Sequence, residues 1–342
     1  MRVAVRRALI ILATSLAALG AAAPAVAAPP GLTAEDGFLG PAGPARPSMD
    51  RAAARDYWTP ARIAAAGPLD LGAEAPPRPA PERLFAAPQT LKASILTNPG
   101  AYPNRVHGKL VGTFPGLGDY SCSATVVSSG TGGLLTTAGH CAYDVDSGTV
   151  AVNIAFAPGY SKSSLPYGVW PITHLIVDKR WGRGSLDFDY SMMQVDPDPA
   201  DGTLQSVVGS RGIGFNQPRK QRLQAYGYPA KGNKEYNGDR LVRCESGYLP
   251  DPYRSGGPRG RGMRCNQKEG SSGGGWVSKH KYVVSNTSHG YPRISSNLFF
   301  GPYYGAATKR MYKAKTSFWP SIKPPKRKGG VPNLIGPKRG QK

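Results

Sequence analysis

Acidic side chains are scarce in this sequence of 342 residues. The chain has 21 Asp and Glu residues against 43 Lys and Arg residues, and its formal net charge is +22. From residue 306 onwards there is no acidic residue, whereas eleven Lys or Arg residues occur. We expect this end to attract polyanions such as cell-wall polymers, nucleic acid or acidic proteins, unless it is only a solvated tail. Because residues 320–342 contain no aromatic side chain, sequence-specific nucleic-acid binding is not supported.

Long apolar runs are missing after the first residues of the chain, which argues against a membrane span. Residues 1–27 combine a basic start, an apolar run over residues 8–22 and the small-residue pattern AVA at its end. This composition is typical of a secretory signal peptide. The sequence therefore predicts a secreted, extracellular and soluble protein.

Cysteine is also rare. The four cysteines are Cys122, Cys141, Cys244 and Cys265. In an exported protein they are expected to form disulfides. The sequence has no C-x-x-C spacing, which argues against a four-cysteine zinc site. Four cysteines allow three pairings, and the residues themselves leave these open.

Residues 28–99 lack regular apolar alternation and are rich in Ala, Pro and Arg. They form either a pro-segment or a flexible N-terminal extension. From residue 100, short β-branched and aromatic runs alternate with Gly, Ser, Asn and Pro, which predicts an all-β barrel or sandwich. Apolar residues at helical spacing over residues 303–318 predict a C-terminal helix. The Pro-, Gly- and Lys-rich residues 319–342 predict a basic disordered tail.

The string KEGSSGGGW, residues 268–276, places glycines on both sides of two serines. It is either a flexible linker or a tight turn that presents a nucleophile. Glycine allows such a turn without Cβ clashes, which makes Ser272 the candidate nucleophile. The backbone N–H groups of Gly270 and Ser272 would then form an oxyanion hole.

A serine nucleophile needs a general base near neutral pH. Of the five histidines, only His140 has a specific setting, in the string TTAGHC, where an apolar strand runs into Ala-Gly before the ring. The base needs a carboxylate to orient it. The string SLDFDYSMMQVD offers two, and Asp189 is favoured over Asp187 because it directly precedes the apolar run.

The strings TTAGHC, DYSMMQV and GSSGG, in the order His140, Asp189 and Ser272, resemble the chymotrypsin-like (trypsin-like) serine peptidase family. The secreted bacterial branches similar to the glutamyl endopeptidases match best. The resemblance implies a double six-stranded β-barrel with a C-terminal helix. Barrel 1, about residues 100–200, would supply the base and the acid. Barrel 2, about residues 201–318, would supply the nucleophile.

The resemblance also implies a pairing of the cysteines. Cys122 would pair with Cys141 beside the base, and Cys244 with Cys265 just before the nucleophile turn. Each bridge closes a loop of about twenty residues, worth roughly 3 kcal/mol in the chain-entropy model.

Four further positions are assigned by comparison with the family pattern. Ser285 matches the position that supports the triad acid. Ser271 stands where the family usually has Asp, so activation is not expected to use an ion pair with a new N-terminal amine. Asn266 stands six residues before the nucleophile, where an acid would attract Arg or Lys, so trypsin-type specificity is not expected. His289 either lines the specificity pocket and favours an acidic side chain, or is an exposed loop histidine.

The sequence as a whole predicts a secreted serine endopeptidase that cleaves protein or peptide substrates through an acyl-enzyme. It predicts a monomer that needs neither cofactor nor metal. The string DPDPADG lacks the spacing of an EF-hand and is interpreted as the connector between the barrels. The alternative is a non-catalytic binding protein on the same fold, which would hold polyanionic or cell-wall partners through its basic surface.

Overall fold

The structure is a computed structural model. It describes residues 32–35, 38–41, 49–69, 71–72, 91–230, 236–267, 269–318 and 334–335. The predicted signal peptide lies outside the described residues, as does the predicted tail apart from residues 334–335.

Strands dominate the described residues. In chain order they are β1 (Leu32–Glu35), β2 (Phe38–Pro41), β3 (Gly67–Pro68), β4 (Leu71–Gly72), β5 (Ser94–Ile95), β6 (His107–Phe114), β7 (Gly118–Val126), β8 (Leu134–Thr137), β9 (Tyr143–Asp144), β10 (Thr149–Val150), β11 (Val152–Pro158), β12 (Trp170–Pro171), β13 (His174–Asp178), β14 (Ser191–Gln194), β15 (Gly212–Gly214), β16 (Leu223–Gly227), β17 (Val242–Ser246), β18 (Leu249–Pro250), β19 (Arg261–Arg264), β20 (Gly275–Ser278), β21 (Tyr282–Asn286), β22 (His289–Tyr291), β23 (Ser295–Gly301) and β24 (Leu334–Ile335).

Helices are fewer and mostly short. The α-helices are α1 (Arg51–Tyr57), α2 (Pro60–Ala65), α3 (Leu204–Val208) and α4 (Ala306–Phe318), and 3-10 turns cover Asn104–Val106, Trp181–Arg183 and Leu186–Phe188. Helix α4 confirms the predicted C-terminal helix. Within the described part of the chain, no helix is both long and apolar enough to span a bilayer.

The first barrel lies in a mainly antiparallel sheet with the strand path β1-β2-β13-β14-β8-β7-β6-β11-β12, in which β3 also pairs with β7. Its longest pairing joins β6 to β7, from His107 opposite Thr125 to Phe114 opposite Gly118. Seven of the eight residues of β6 are buried. One reason is that the second barrel covers part of this strand: the ring of His107 stacks on Tyr226 of β16 with a centroid distance of 3.9 Å.

The second barrel combines two sheets, with the strand paths β24-β15-β21-β20-β16-β17-β5 and β18-β19-β23-β22-β4. Part of its interior is a separate apolar core, with Trp276, Met263 and Val242 among its buried side chains. The predicted all-β double-barrel class is therefore confirmed. The family resemblance implies that the catalytic site lies in the cleft between the barrels.

Residues 49–69 pack against the first barrel. Helix α1 begins after Asp50, whose carboxylate accepts a hydrogen bond from the backbone N–H of Ala53. Trp58 is fully buried, and its indole N–H donates to the carbonyl of Asn153 at 2.7 Å. Beyond α2, strand β3 runs beside β7 and β4 beside β22. This part of residues 28–99 is thus folded onto both barrels.

Candidate active site

His140 and Asp189 lie at neighbouring strand ends. Ser191, the first residue of β14, lies opposite Thr137, the last residue of β8. His140 follows β8 by three residues, and Asp189 precedes β14 by two. The pairing of these two strands therefore brings together side chains that are 49 positions apart in the chain.

The carboxylate of Asp189 holds His140 by two hydrogen bonds. Its Oδ2 lies 2.8 Å from the ring Nδ1, and its Oδ1 accepts from the backbone N–H of the same residue at 2.8 Å. This arrangement fixes the ring and leaves Nε2 as the nitrogen that can serve as the base. Trp181 packs against the ring at a centroid distance of 6.2 Å.

The pKa of Asp189 is lowered from its ordinary value. Complete burial acts in the opposite direction, because it disfavours the charged form. The charge of His140 and the hydrogen bonds from His140 and Ser288 together outweigh burial. The acid is therefore an ionised carboxylate at neutral pH, as a group that stabilises an imidazolium must be.

The sequence-based assignment of Ser285 as the support of the acid is wrong. Its hydroxyl donates to the carbonyl of Pro302 at 2.7 Å, whereas Ser288 donates to Oδ2 of Asp189 at 2.5 Å. Because side chains alternate along extended backbone, positions three residues apart project to opposite sides. Ser288 was not predicted from the sequence, although it directly precedes His289, one of the predicted pocket residues.

The turn that carries Ser272 depends on two glycines with left-handed backbone. Gly270 has φ +90° and Gly273 has φ +81°, values that glycine adopts readily and other residues do not. A Cβ on Gly273 would also lie 2.8 Å from the backbone nitrogen of Ala138, two residues before His140. The string is therefore a tight turn pressed against the loop of the base, and the linker interpretation is wrong.

Strand β7 holds this turn from the other side. The carbonyl of Ser272 accepts from the backbone N–H of Ser123 at 2.7 Å. The hydroxyl of Ser123 donates to the carbonyl of Gly270 at 2.9 Å and accepts from the N–H of Tyr228 at 2.9 Å. Ser123 is a second residue that sequence reasoning missed, because its partners lie more than 100 positions away.

The candidate oxyanion hole already faces a carbonyl. The N–H of Gly270 donates to the carbonyl of Leu69 at 3.3 Å. The candidate nucleophile Ser272 is only 2% exposed, and His140 only 5%. A backbone carbonyl of the chain itself therefore accepts from one of the two predicted oxyanion-hole donors, and the candidate groups are covered.

A cavity of about 200 Å³ adjoins the nucleophile turn. Its lining includes Gln267, Glu269, Ser271, Thr287, His289 and Phe299. Asn266 was predicted to line the specificity pocket, but among the described residues it does not line this cavity. Its side-chain oxygen accepts from the N–H of Ala93 at 2.7 Å and lies 3.2 Å from the hydroxyl of Tyr236.

His289 borders the cavity, but protein groups engage both of its ring nitrogens. Nδ1 lies 2.9 Å from the hydroxyl of Ser288. Nε2 lies 3.2 Å from Oδ2 of Asp251 and 3.0 Å from the hydroxyl of Tyr291. The ring is buried, so the interpretation as an exposed loop histidine is wrong. Its nitrogens are also unsuited to hold an acidic substrate side chain, because they already have partners.

The structure pairs Cys122 with Cys141 and Cys244 with Cys265, and the paired Cα atoms are 6.4 and 6.1 Å apart. The first bridge ties β7 to the residue after His140. Among the described residues, the one cluster with the geometry of a metal site consists of these first two cysteines and His140. Because both sulfur atoms are used in the disulfide, neither is a thiolate ligand.

The comparisons with curated proteins cover part of the chain. A glutamyl endopeptidase of Bacillus licheniformis is 31% identical over 116 residues, 32% of this chain and 34% of that protein. A Bacillus subtilis protein named extracellular metalloprotease is 28% identical over 151 residues, 44% of this chain and 45% of that protein. The chain thus spans less than half the length of these curated relatives. No family model matches the chain.

Solved structures match over a longer region. The thermostable serine protease AL20 from an extremophilic microorganism is 34% identical, with a TM-score of 0.56, and the match covers 62% of this chain and 97% of that one. Protease Anisep of Arthrobacter nicotinovorans is 31% identical, with a TM-score of 0.56, covering 62% and 96%. A Glu endopeptidase with 18% identity and a TM-score of 0.54 supports the fold alone. Because the chain has the double barrel and is similar to AL20 over nearly the whole length of that protein, it belongs to the chymotrypsin-like serine peptidase family.

Proposed function

We propose that the protein is a serine endopeptidase with Ser272 as nucleophile, His140 as base and Asp189 as the acid that orients it. The observation that carries the proposal is the clamped pair of His140 and Asp189 beside the glycine turn of Ser272. Two hydrogen bonds between His140 and Asp189 support it. The close approach of Gly273 to the loop before His140 supports it as well. No step of this chemistry requires a cofactor or a metal.

The reaction follows from these positions. The hydroxyl oxygen of Ser272 attacks the scissile carbonyl carbon while Nε2 of His140 takes the hydroxyl proton. The carbonyl oxygen becomes an oxyanion that accepts hydrogen bonds from the N–H groups of Gly270 and Ser272. Asp189 stabilises the imidazolium without becoming protonated. His140 then gives its proton to the leaving amine, the C–N bond breaks, and water hydrolyses the acyl-enzyme by the same steps.

The arrangement of the chain is part of the proposal. Residues 1–27 would direct export and be removed, which makes the active protein secreted. Residues 28–99 would act as a pro-segment, and residues 100–318 would form the peptidase domain. Residues 319–342 would hold anionic polymers. Protein or peptide chains are the proposed substrates, and the proposed active form is a monomer.

Covalent labelling with a fluorophosphonate probe tests the assignment. The probe should attach to Ser272, mass spectrometry of the labelled peptide should exclude the adjacent Ser271, and Ser272→Ala should abolish labelling. His140→Ala should reduce labelling by orders of magnitude. His174→Ala, which removes a different buried histidine, is the matched control and should label normally. A folded wild type that never reacts in any processed form would instead support the non-catalytic binding protein.

A further inference from the structure

The chain crosses its own candidate cleft. We call residues 67–69 and 71–72 the strap. Its first part, β3, pairs in parallel with β7 at Tyr120 and Ser121. Its last part, β4, pairs in parallel with β22 at His289 and Gly290. We propose that the strap is an autoinhibitory plug, bound with its chain direction opposite to that of a productive substrate. This inference rests on the function proposed above.

The centre of the strap binds one of the two predicted donors of the candidate oxyanion hole. The carbonyl of Leu69 accepts from the N–H of Gly270 at 3.3 Å, and the N–H of Leu69 donates to the carbonyl of Ser121 at 2.9 Å. The hydroxyl of Ser121 donates to the carbonyl of Ala66 at 3.3 Å. The strap thus satisfies with its own backbone the groups that would receive a substrate backbone, and a substrate must displace it.

A productive substrate must run in the other direction. In the proposed reaction His140 gives a proton to the leaving amine, so the substrate residues after the scissile bond lie on the side of this histidine. Cys141 follows His140 and is bonded to Cys122 of β7. The residues after the scissile bond therefore lie along the edge of β7. The residues before the scissile bond then lie along β22, beside the cavity. A substrate therefore runs from β22 to β7, whereas the strap runs from β7 to β22.

The reversed direction explains how a peptidase can hold this segment without cutting it. With its carbonyl at Gly270, the peptide bond after Leu69 leads towards β22. It leads away from the side on which His140 delivers the proton to the leaving nitrogen. The carbonyl is bound, but its leaving group is misplaced, so the acyl-enzyme cannot form efficiently.

Residues 49–66 anchor the strap. Ile63 and Trp58 are fully buried. Arg62 pairs with Asp119 at 2.8 Å, and Arg51 pairs with Asp198 at 3.0 Å. Because this anchor keeps the strap beside the cleft, its binding is intramolecular and does not depend on protein concentration. Release therefore requires undocking of the anchor or a cut in the chain between the strap and β5.

The rate of fluorophosphonate labelling of the intact chain tests the plug. Intact-mass analysis restricts the measurement to unprocessed molecules. Leu69→Pro removes the N–H that binds β7, and Trp58→Ala removes a buried anchor. We expect both variants to label at least tenfold faster than the intact wild type. Arg55→Ala, an exposed position of the same segment, is the matched control and should label at the wild-type rate.

Two results separate failure of the plug from failure of the proposed function. If the wild type, both variants and the control label at one equal rate, the plug is overturned and the peptidase stands. If no form labels, although all are folded, the peptidase proposal fails and the plug falls with it.

Hydrogen exchange gives a second readout, and its first measurement needs no substitution in the strap or its anchor. In intact Ser272→Ala protein, the amide of Gly270 should exchange slowly, because its described backbone acceptor is the carbonyl of Leu69. The same Ser272→Ala protein with Leu69→Pro added should exchange there at least tenfold faster. Fast exchange at Gly270 in the intact protein would overturn the plug.

A synthetic peptide of residues 59–72 tests the direction of binding. Added to the Leu69→Pro protein, it should inhibit labelling competitively and remain uncut. Rapid cleavage of the peptide after Leu69 would show that it binds in the productive direction and would overturn the reversed orientation.

Discussion

The hydroxyl of Ser288 donates a hydrogen bond to Oδ2 of Asp189 over 2.5 Å, across 99 positions of the chain. The same hydroxyl lies 2.9 Å from Nδ1 of His289, whose other nitrogen lies 3.2 Å from Asp251. One buried hydroxyl therefore links the acid of the candidate triad, and through it His140, to a second acid–histidine pair in barrel 2. The orientation of the acid depends on both barrels.

Removal of the Ser288 hydroxyl should impair catalysis more than folding. Ser288→Ala deletes a hydrogen bond to a buried carboxylate, an interaction worth about 1.5–3 kcal/mol. We expect kcat to fall by about tenfold or more with little change in KM, since 1.4 kcal/mol corresponds to a factor of ten. Ser285→Ala, in which the lost partner is the carbonyl of Pro302, is the matched control and should keep a near-normal kcat. Steady-state kinetics on a peptide substrate decide between the two serines.

The nucleophile turn should not tolerate a side chain at Gly273. A Cβ there would meet the backbone nitrogen of Ala138 at 2.8 Å, and φ is +81°. Gly184 has nearly the same φ, +80°, but its Cβ would meet nothing within 4 Å. Gly184→Ala should thus destabilise by backbone strain alone, about 1–2 kcal/mol, while Gly273→Ala should cost clearly more and abolish labelling. Equal unfolding free energies for the two variants in urea would contradict this account.

The two disulfides should differ in their effect on activity. Each closes a loop of similar length, with sequence separations of 19 and 21, so removal of either should lower the unfolding free energy by roughly 3 kcal/mol. The double variant of Cys122 and Cys141 to Ser should also lower kcat, because this bridge holds the residue after His140. The double variant of Cys244 and Cys265 is the comparison. Its kcat under conditions where it is folded should change less, and a reversed order would argue against positioning by the first bridge.

Buried His107 should make stability depend on pH. Burial and the charge of Arg211 hold its pKa well below the ordinary value of 6.5. Below pH 6.5 the unfolded chain therefore binds a proton that the folded protein does not, and the unfolding free energy should fall as the solution is acidified. One proton of difference corresponds to at most about 1.4 kcal/mol per pH unit.

Urea unfolding between pH 7 and 5 measures this dependence, in Ser272→Ala protein to prevent autolysis. His107→Phe should flatten the slope towards acid pH by up to one proton, whatever its effect on stability at pH 7. His280→Asn, at an exposed position, is the control and should leave the slope unchanged. A His107→Phe slope equal to that of the parent would contradict the neutral, buried state of this ring.

The three candidate catalytic positions could be predicted because each is marked by a short local string, and the two-barrel fold could be predicted because these strings resemble a known family. A glycine-rich turn around Ser272, a strand end before His140 and an acid at the start of an apolar run are patterns within ten residues. The strand runs and α4 follow in the same way from local periodicity. The pocket was predicted less well, because the role of Asn266 depends on residues 93 and 236, which no local pattern connects to it.

The amino-acid sequence by itself determined the all-β class and which side chains are able to form a catalytic triad, and it predicted the secretory character of the first residues. The two-barrel class came from the resemblance to a family. Only the tertiary structure decided that Ser288 rather than Ser285 meets the acid, that the nitrogens of His289 are already engaged, and that residues 67–69 and 71–72 lie across the cleft. The physical reason is that packing of the whole chain selects hydroxyl directions, hydrogen-bond partners and strand pairings between distant segments. The residues next to each position in the sequence do not determine them.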